Sequence, residues 1–154
     1  MKQVQKLTYF IDRGNGEYQP FYEYCLPLVG EDEFYARQLC TYFIMEGRQY
    51  QLLSNEMKGS EEILVLEEIG ANERLPDENI YRGNGLHLEF RSSQLQENYK
   101  LLKVEQIETH FEVIRFLLKD VVDILGVGQF LTTSTEIDED RGAYVIYVKP
   151  IDEE

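Results

Sequence analysis

The stretch Thr109 to Leu125, THFEVIRFLLKDVVDIL, decides how the rest of the chain is read. Thr109 and Glu112 have the spacing of a capping box, in which a hydroxyl and a carboxylate each satisfy a backbone donor left open by the first helical turn. Phe111, Ile114, Leu118, Val121 and Leu125 follow at helical intervals. Phe116, Leu117, Val122 and Ile124 widen that apolar line, so only the stripe through Glu112, Arg115, Lys119 and Asp123 is left for water. The pattern predicts a helix running to Leu125, buried over more than half its circumference and stopped by Gly126 and Gly128.

On either side the period changes from helical to alternating. Leu86 to Arg91 and Tyr99 to Ile107 read as strands before the helix, although Leu95, Tyr99 and Leu102 also fit a backward extension of it. Gln129 to Ile137 and Ala143 to Lys149 read as a hairpin after it, turning at Asp138 to Gly142. The N-terminal part repeats this order. Val4 to Ile11 and Glu17 to Leu26 flank Arg13-Gly14-Asn15-Gly16, and an Asn-Gly pair suits a type I′ turn, which needs positive φ at both central residues. Asp32 to Glu46 reads as a helix ended by Gly47, with a strand as the alternative because of its β-branched and aromatic content. Gln49 to Met57 and Glu62 to Ile69 follow as strands around Lys58-Gly59-Ser60. The run Ile63-Leu64-Val65-Leu66 predicts a strand covered on both faces.

The expectation is therefore an α+β fold of two similar ββαββ halves, with antiparallel strands and two helices packed on the sheet. Residues 1–70 form the first half, 71–84 a linker, 85–150 the second half and 151–154 an acidic tail. At an offset of about 80 residues Tyr50 falls on Phe130, Ser54 on Ser134, Glu56 on Glu136, Met57 on Ile137 and Val65 on Val145. Identity at that offset barely exceeds what composition gives, so the repeat rests on element order and apolar pattern. The element order is similar in architecture to duplicated strand-helix-strand-strand folds such as bacterial effector-binding domains of the gyrase-inhibitor type, with an extra strand before each helix. Fold does not carry function, and no residue role is transferred from that likeness.

Composition bounds the function. With 154 residues, 43% hydrophobic residues, 11 Tyr and 8 Phe, the chain forms a packed core without covalent staples. Its net charge is −14, and division after Asp77 gives −7 on each side, so the acidity is spread as on a solvated surface. No window clusters Lys and Arg, which argues against non-specific nucleic-acid binding and against anionic membranes. Residues 1–6 lack the apolar region of a signal peptide, and Cys25 and Cys40 show no CxxC spacing. Reduced thiols and a cytoplasmic location follow as expectations.

No catalytic constellation emerges. GxSxG is absent, neither cysteine has a cationic neighbour, and the two RGNG segments read as turns. His87 with Glu89 and His110 with Glu112 lack the converging ligands of a metal site, so no metal and no cofactor is expected. The repeat places Glu56 and Glu136 at equivalent positions, each two residues after a serine, as the one candidate pair of carboxylates for acid and base roles. Eleven of the 19 Tyr and Phe lie in the first 50 residues. Tyr18, Tyr22 and Tyr24 share one strand face by period-2 alternation, opposite Phe21 and Cys25.

These observations point first to a non-enzymatic interaction protein that binds a protein partner, or itself, through its tyrosine-rich sheet. The alternative is a small-molecule binding module whose aromatic-lined cavity takes an aromatic or cationic ligand. A less favoured third reading is an acidic inhibitor that mimics nucleic acid. A closed, aromatic-lined pocket of roughly 300 Å³ or more would support the second, and a flat tyrosine-rich patch buried between chains over more than about 1,000 Å² the first.

Overall fold

The computed structural model describes residues 4–151. Residues 1–3 and 152–154, which hold part of the segment expected not to be a signal peptide and most of the expected acidic tail, lie outside the described residues. The chain is α+β, with ten strands and two helices. The strands are β1 (Lys6–Gly14), β2 (Glu17–Cys25), β3 (Tyr42–Met45), β4 (Arg48–Lys58), β5 (Glu61–Ala71), β6 (Leu86–Ser92), β7 (Leu101–Ile107), β8 (Val121–Ile124), β9 (Gly128–Asp138) and β10 (Ala143–Pro150). The helices are α1 (Glu31–Gln38) and α2 (His110–Leu117), and Leu95–Glu97 form a 3₁₀ turn. All strands belong to one sheet in the order β2-β1-β5-β4-β3-β9-β10-β6-β7, with β8 paired to β9 beside it. Pairing is antiparallel except where β1 meets β5, β10 meets β6 and β3 meets β9.

Both helices are shorter than their apolar patterns predict, for the same reason. After α1 the chain carries Thr41-Tyr42-Phe43-Ile44, and after α2 Val121-Val122-Asp123-Ile124; β-branched and aromatic residues lose rotamer freedom in a helix and fit a pleated surface better. Each segment becomes a four-residue strand, β3 or β8. In β8 the period is two: Val122 and Ile124 are buried while Val121 is exposed. The expected buried circumference of the second helix is thus corrected, since Phe111 (71%) and Leu125 (74%) are largely exposed. The element order of each half is ββαβββ, one strand longer than the ββαββ expected.

Where α2 begins, the cap is present. Thr109 Oγ1 accepts from the Glu112 backbone N–H at 3.3 Å, and Glu112 Oε2 accepts from the backbone N–H of Glu108 at 3.4 Å. Replacing Thr109 with Ala is expected to lower unfolding free energy by about 1 kcal/mol. Urea denaturation checks this, and an unchanged midpoint would count against the cap. Leu101 to Ile107 resolves as strand β7 rather than as a backward extension of the helix, and Tyr99, expected to open that strand, sits in the turn before it with a φ of 52°.

The helices cover one face of the sheet. Phe34 and Ala36 of α1 and Val113 and Leu117 of α2 pack with Leu7, Tyr9, Phe43, Leu66, Phe90, Tyr144 and Ile146 in one apolar cluster. Leu64, Val65 and Leu66 are all buried on β5, between β1 and β4, as the apolar run predicts.

The opposite face of the C-terminal strands is polar. Register places Glu89 beside Val145 and Val145 beside Glu136, and likewise Arg91 beside Tyr147 and Tyr147 beside Ser134, so these side chains share one side of the sheet. Residues 72–85, which contain no strand or helix, fold over this face. Tyr81 anchors them: its backbone N–H donates to the Arg141 carbonyl at 2.7 Å and its hydroxyl to Glu89 at 2.7 Å. Among the described residues no helix is long and apolar enough to cross a membrane.

Candidate functional site

A charged layer lies between the polar face and residues 72–85. Glu89, Arg91, Asp138 and Arg141 are all at most 1% exposed. Burying ions this deeply is costly unless every one is paired and hydrogen-bonded, and here every carboxylate of the layer but one is. Arg141 donates to both oxygens of Glu89 at 2.8 and 2.9 Å and to Asp138 at 2.9 Å. Arg91 donates to Glu89 at 2.8 Å and to Asp77 at 2.7 Å. Arg74 reaches Asp138 and Glu78 at 3.2 and 3.3 Å. Burial alone would raise the Glu89 carboxyl, but hydrogen bonds from Arg141, Arg91 and Tyr81 hold it below the usual carboxylate range.

Glu136 is the exception. It precedes Asp138 by two residues on β9, shares its face and is 6% exposed, yet it has no hydrogen-bond or ion-pair partner among the described residues. Burial, and then the Asp138 carboxylate, push its carboxyl up to about 8 against the pull of Arg141. The side chain lines a half-open cleft of about 510 Å³. Ser134 and Tyr147 lie beside it, Tyr42 and Gln49 close one side, Ser93 and Tyr99 another, and the chain from Ala71 to Glu78 forms the rim. Tyr99 and Tyr147 meet edge to face with ring centres 6.1 Å apart. The Tyr147 hydroxyl is held protonated by burial and by its proximity to Glu136.

The other expected site residues fall elsewhere. Glu56 is exposed and accepts a hydrogen bond from Ser54 at 2.8 Å. Tyr42 pairs with both Gln51 and Glu136, and Glu56 lies five residues past Gln51 on β4. At a rise of about 3.3 Å per residue this puts the two carboxylates roughly 16 Å apart along the strands, too far for an acid–base pair.

The tyrosines of β2 do not share a face either. A bulge leaves Phe21 without a partner between Tyr22, opposite Tyr9, and Pro20, opposite Phe10, so alternation is interrupted there. Tyr22 and Tyr24 lie with Tyr9 and Leu7 on the core side, whereas Tyr18 pairs with Asp12 on the other and is 55% exposed. Phe21 turns inward as well, 4.8 Å from the Tyr22 ring and 5.0 Å from that of Tyr50. The Tyr22 hydroxyl donates to Glu46 at 2.9 Å, that of Tyr24 to Glu139, and the Arg37 guanidinium sits 3.9 Å from the Tyr24 ring centre.

A second polar cluster joins the helices. His110 contacts Glu33 at 3.0 Å and the Tyr144 hydroxyl at 2.8 Å, and Arg37 bridges Glu33 and Glu139. Burial raises the Glu33 carboxyl, but His110 and Arg37 outweigh it and bring it down to about 2. A cavity of about 130 Å³ beside these groups is smaller than ordinary ligand sites. Both cysteines are free thiols. No group of three or more His, Cys, Asp or Glu able to hold a metal ion occurs among the described residues.

Sequence reading singled out Glu136 but not Tyr42, Tyr99, Tyr147 or the arginines behind them. The available signal was Val145 alternating with Tyr147 beside Ser134 and Glu136, polar positions on strands whose neighbours are apolar. Compared with protein-family models, curated proteins and solved structures, the chain matches none.

Proposed function

We propose that this protein is a non-enzymatic small-molecule binding module and that the cleft over Glu136 is its site. One observation carries the reading: a buried ionisable side chain without a partner lines an otherwise satisfied polar layer and faces an open volume edged by three tyrosines. The volume, about 510 Å³, lies within the range of roughly 300–1,000 Å³ typical of ligand pockets. Tyrosine rings supply apolar contact, and Ser134, Gln49 and the tyrosine hydroxyls supply polar points to orient a ligand.

The two halves of the sheet run β2-β1-β5-β4-β3 and β7-β6-β10-β9-β8. This common order supports the view that the chain contains two copies of one ββαβββ unit joined through residues 72–85. The cleft then lies across their seam, with Tyr42 and Gln49 from one half and Ser134, Glu136 and Tyr147 from the other. Sites between units are a common place for ligands. A cytosolic setting suits the two free thiols. The partner-binding alternative keeps only Tyr18 as an exposed tyrosine of β2, since Tyr22 and Tyr24 are half-buried and bonded to Glu46 and Glu139; Phe111, Leu118 and Leu125 would add exposed apolar surface to it.

The test uses benzyltrimethylammonium and benzyl alcohol, which share a ring and differ in charge. In amide-resolved NMR titrations at least one is expected to bind saturably, moving resonances of Tyr42, Ser134, Glu136 and Tyr147. Ser134→Trp, which fills the cleft from its wall, is expected to abolish that binding while leaving distant resonances in place. Scattered, non-saturable shifts with both probes, or binding untouched by Ser134→Trp, would overturn the proposal.

A further inference from the structure

We infer that the cleft selects an organic cation, which would sit among Tyr42, Tyr99 and Tyr147 and take Glu136, the one buried carboxyl without a partner among the described residues, as its counter-ion. The inference rests on the cleft being a ligand site, and it adds the charge class of the ligand and the means by which pH regulates it.

Arg74, Arg91 and Arg141 are the positive groups of the layer, and each is committed: Arg74 to Glu78, Asp138 and Asp140, Arg91 to Glu89 and Asp77, Arg141 to Glu89 and Asp138. None is left for Glu136. An anionic ligand would therefore meet the Glu73 carboxylate on the rim and no free guanidinium, whereas a cation gains Glu136 as its counter-ion once the carboxyl gives up its proton.

A divalent metal asks for several hard oxygen ligands converging within about 2.0–2.6 Å, and no such group exists among the described residues. What lines the cleft instead is Glu136 at the wall, Glu73 and Glu78 on the rim, and the side chains of Tyr42, Tyr99 and Tyr147. Aromatic side chains beside carboxylates recognise an alkylammonium, whose charge is spread over a methyl or methylene surface.

Before the ligand arrives, Glu136 faces groups from every element around it. The groups acting on it are Asp138 on its own strand, Tyr147 on β10, Tyr42 on β3, Glu89 on β6, Glu78 from the covering segment and Arg141 from the β9–β10 turn. Burial and the acidic members of that set hold the carboxyl protonated below about pH 8. Docking an ammonium against it favours the carboxylate. The O–H bond breaks, its electron pair stays on Glu136, and the proton goes to buffer while the ammonium ion remains intact; the cleft trades one positive charge for another.

Isothermal titration with benzyltrimethylammonium, whose charge is independent of pH, tests this directly. Affinity is expected to rise about tenfold per pH unit up to about pH 8 and then level off, making the cation roughly 100-fold weaker at pH 6 than at pH 9. At pH 7 the binding enthalpy is expected to differ between phosphate and Tris by close to one proton's worth of buffer ionisation. Glu136→Gln is expected to remove the pH dependence and weaken cation binding at pH 9 at least tenfold. Equal cation affinity at pH 6 and pH 9, or a buffer-independent enthalpy, would overturn the inference, and if benzyl alcohol still bound in the cleft the ligand-site reading would stand. Failure of both probes to bind would remove the ligand site and this inference together.

Discussion

Arg141→Met is expected to lower the free energy of unfolding by about 3–5 kcal/mol, the cost of removing one partner from a buried ion network. Arg141 is 1% exposed and holds Glu89 through two hydrogen bonds and Asp138 through a third. Without it Glu89 keeps only Arg91 and Tyr81, and Asp138 keeps Arg74 and the backbone N–H of residue 141. Two carboxylates would then face the same dry space with too little positive charge. The guanidinium also reaches the Asn79 carbonyl at 3.1 Å, so residues 72–85 lose an anchor as well. Urea denaturation at pH 7 measures the loss. Because carboxylate and guanidinium cost most when separated, the double variant Glu89→Leu/Arg141→Met is expected to recover part of it. A loss below about 1 kcal/mol in the single variant, typical of surface pairs, would show that the network is wetter than its geometry implies.

The second large effect is a fall in stability on the alkaline side. The Glu136 carboxyl is raised from 4.5 to about 8 in the folded protein, so between those values the folded state binds a proton that the unfolded chain has given up. Its contribution is intact below pH 4.5, declines as pH rises through that window and is exhausted above about pH 8. Glu136→Gln removes the titration and keeps the shape. It is expected to match the parent near pH 4.5 and to exceed it by roughly 5 kcal/mol at pH 9, because each tenfold change in proton affinity is worth about 1.36 kcal/mol. Glu33, Asp77 and Glu89 are displaced the opposite way, so their stability is lost on the acid side and does not mask the effect. Unfolding free energies at intervals from pH 5 to pH 9 check this; a constant difference between the two proteins would show that Glu136 is not titrating in that window.

Local rules carried the sequence reading a long way where a few adjacent residues decide the backbone. Asn15 and Gly16 have positive φ, 54° and 76°, as the type I′ turn requires, and Thr109 caps α2. The errors come from segments too short to show a period. Tyr42 to Met45 and Val121 to Ile124 are each four residues long and follow a helix closely, so their apolar residues extend the helical stripe on paper. What makes them strands is pairing with β4 and β9, a non-local fact. The bulge at Phe21 is equally silent in the sequence, and it moved Tyr18 away from Tyr22 and Tyr24. The cleft was the least legible part. Glu136 is one of 29 acidic residues, and although its place beside apolar strand neighbours marks it out, it does not tell that this face will be covered. That depends on where residues 72–85 lie, and their polar composition suggested an open connection rather than a cover.

The joint between the two halves of the sheet has a mechanical meaning. Tyr42 to Ile44 against Glu136 to Asp138 is a splice of three register pairs and the only strand pairing that unites β1–β5 with β6–β10 among the described residues. So short a splice resists shear weakly, and side-chain rivets just beyond its Ile44–Asp138 end reinforce it. Asp140 clamps the backbone N–H groups of Glu46 and Gly47 at 2.7 and 2.8 Å, and Arg37 fastens Glu139 to α1. These rivets belong to the β9–β10 turn, which also presents Arg141 to the charged layer. The stiffness of the plate and the charge balance of the cleft are thus set by one five-residue bend, Asp138 to Gly142, whose acidic sequence suggests only a wet hairpin tip.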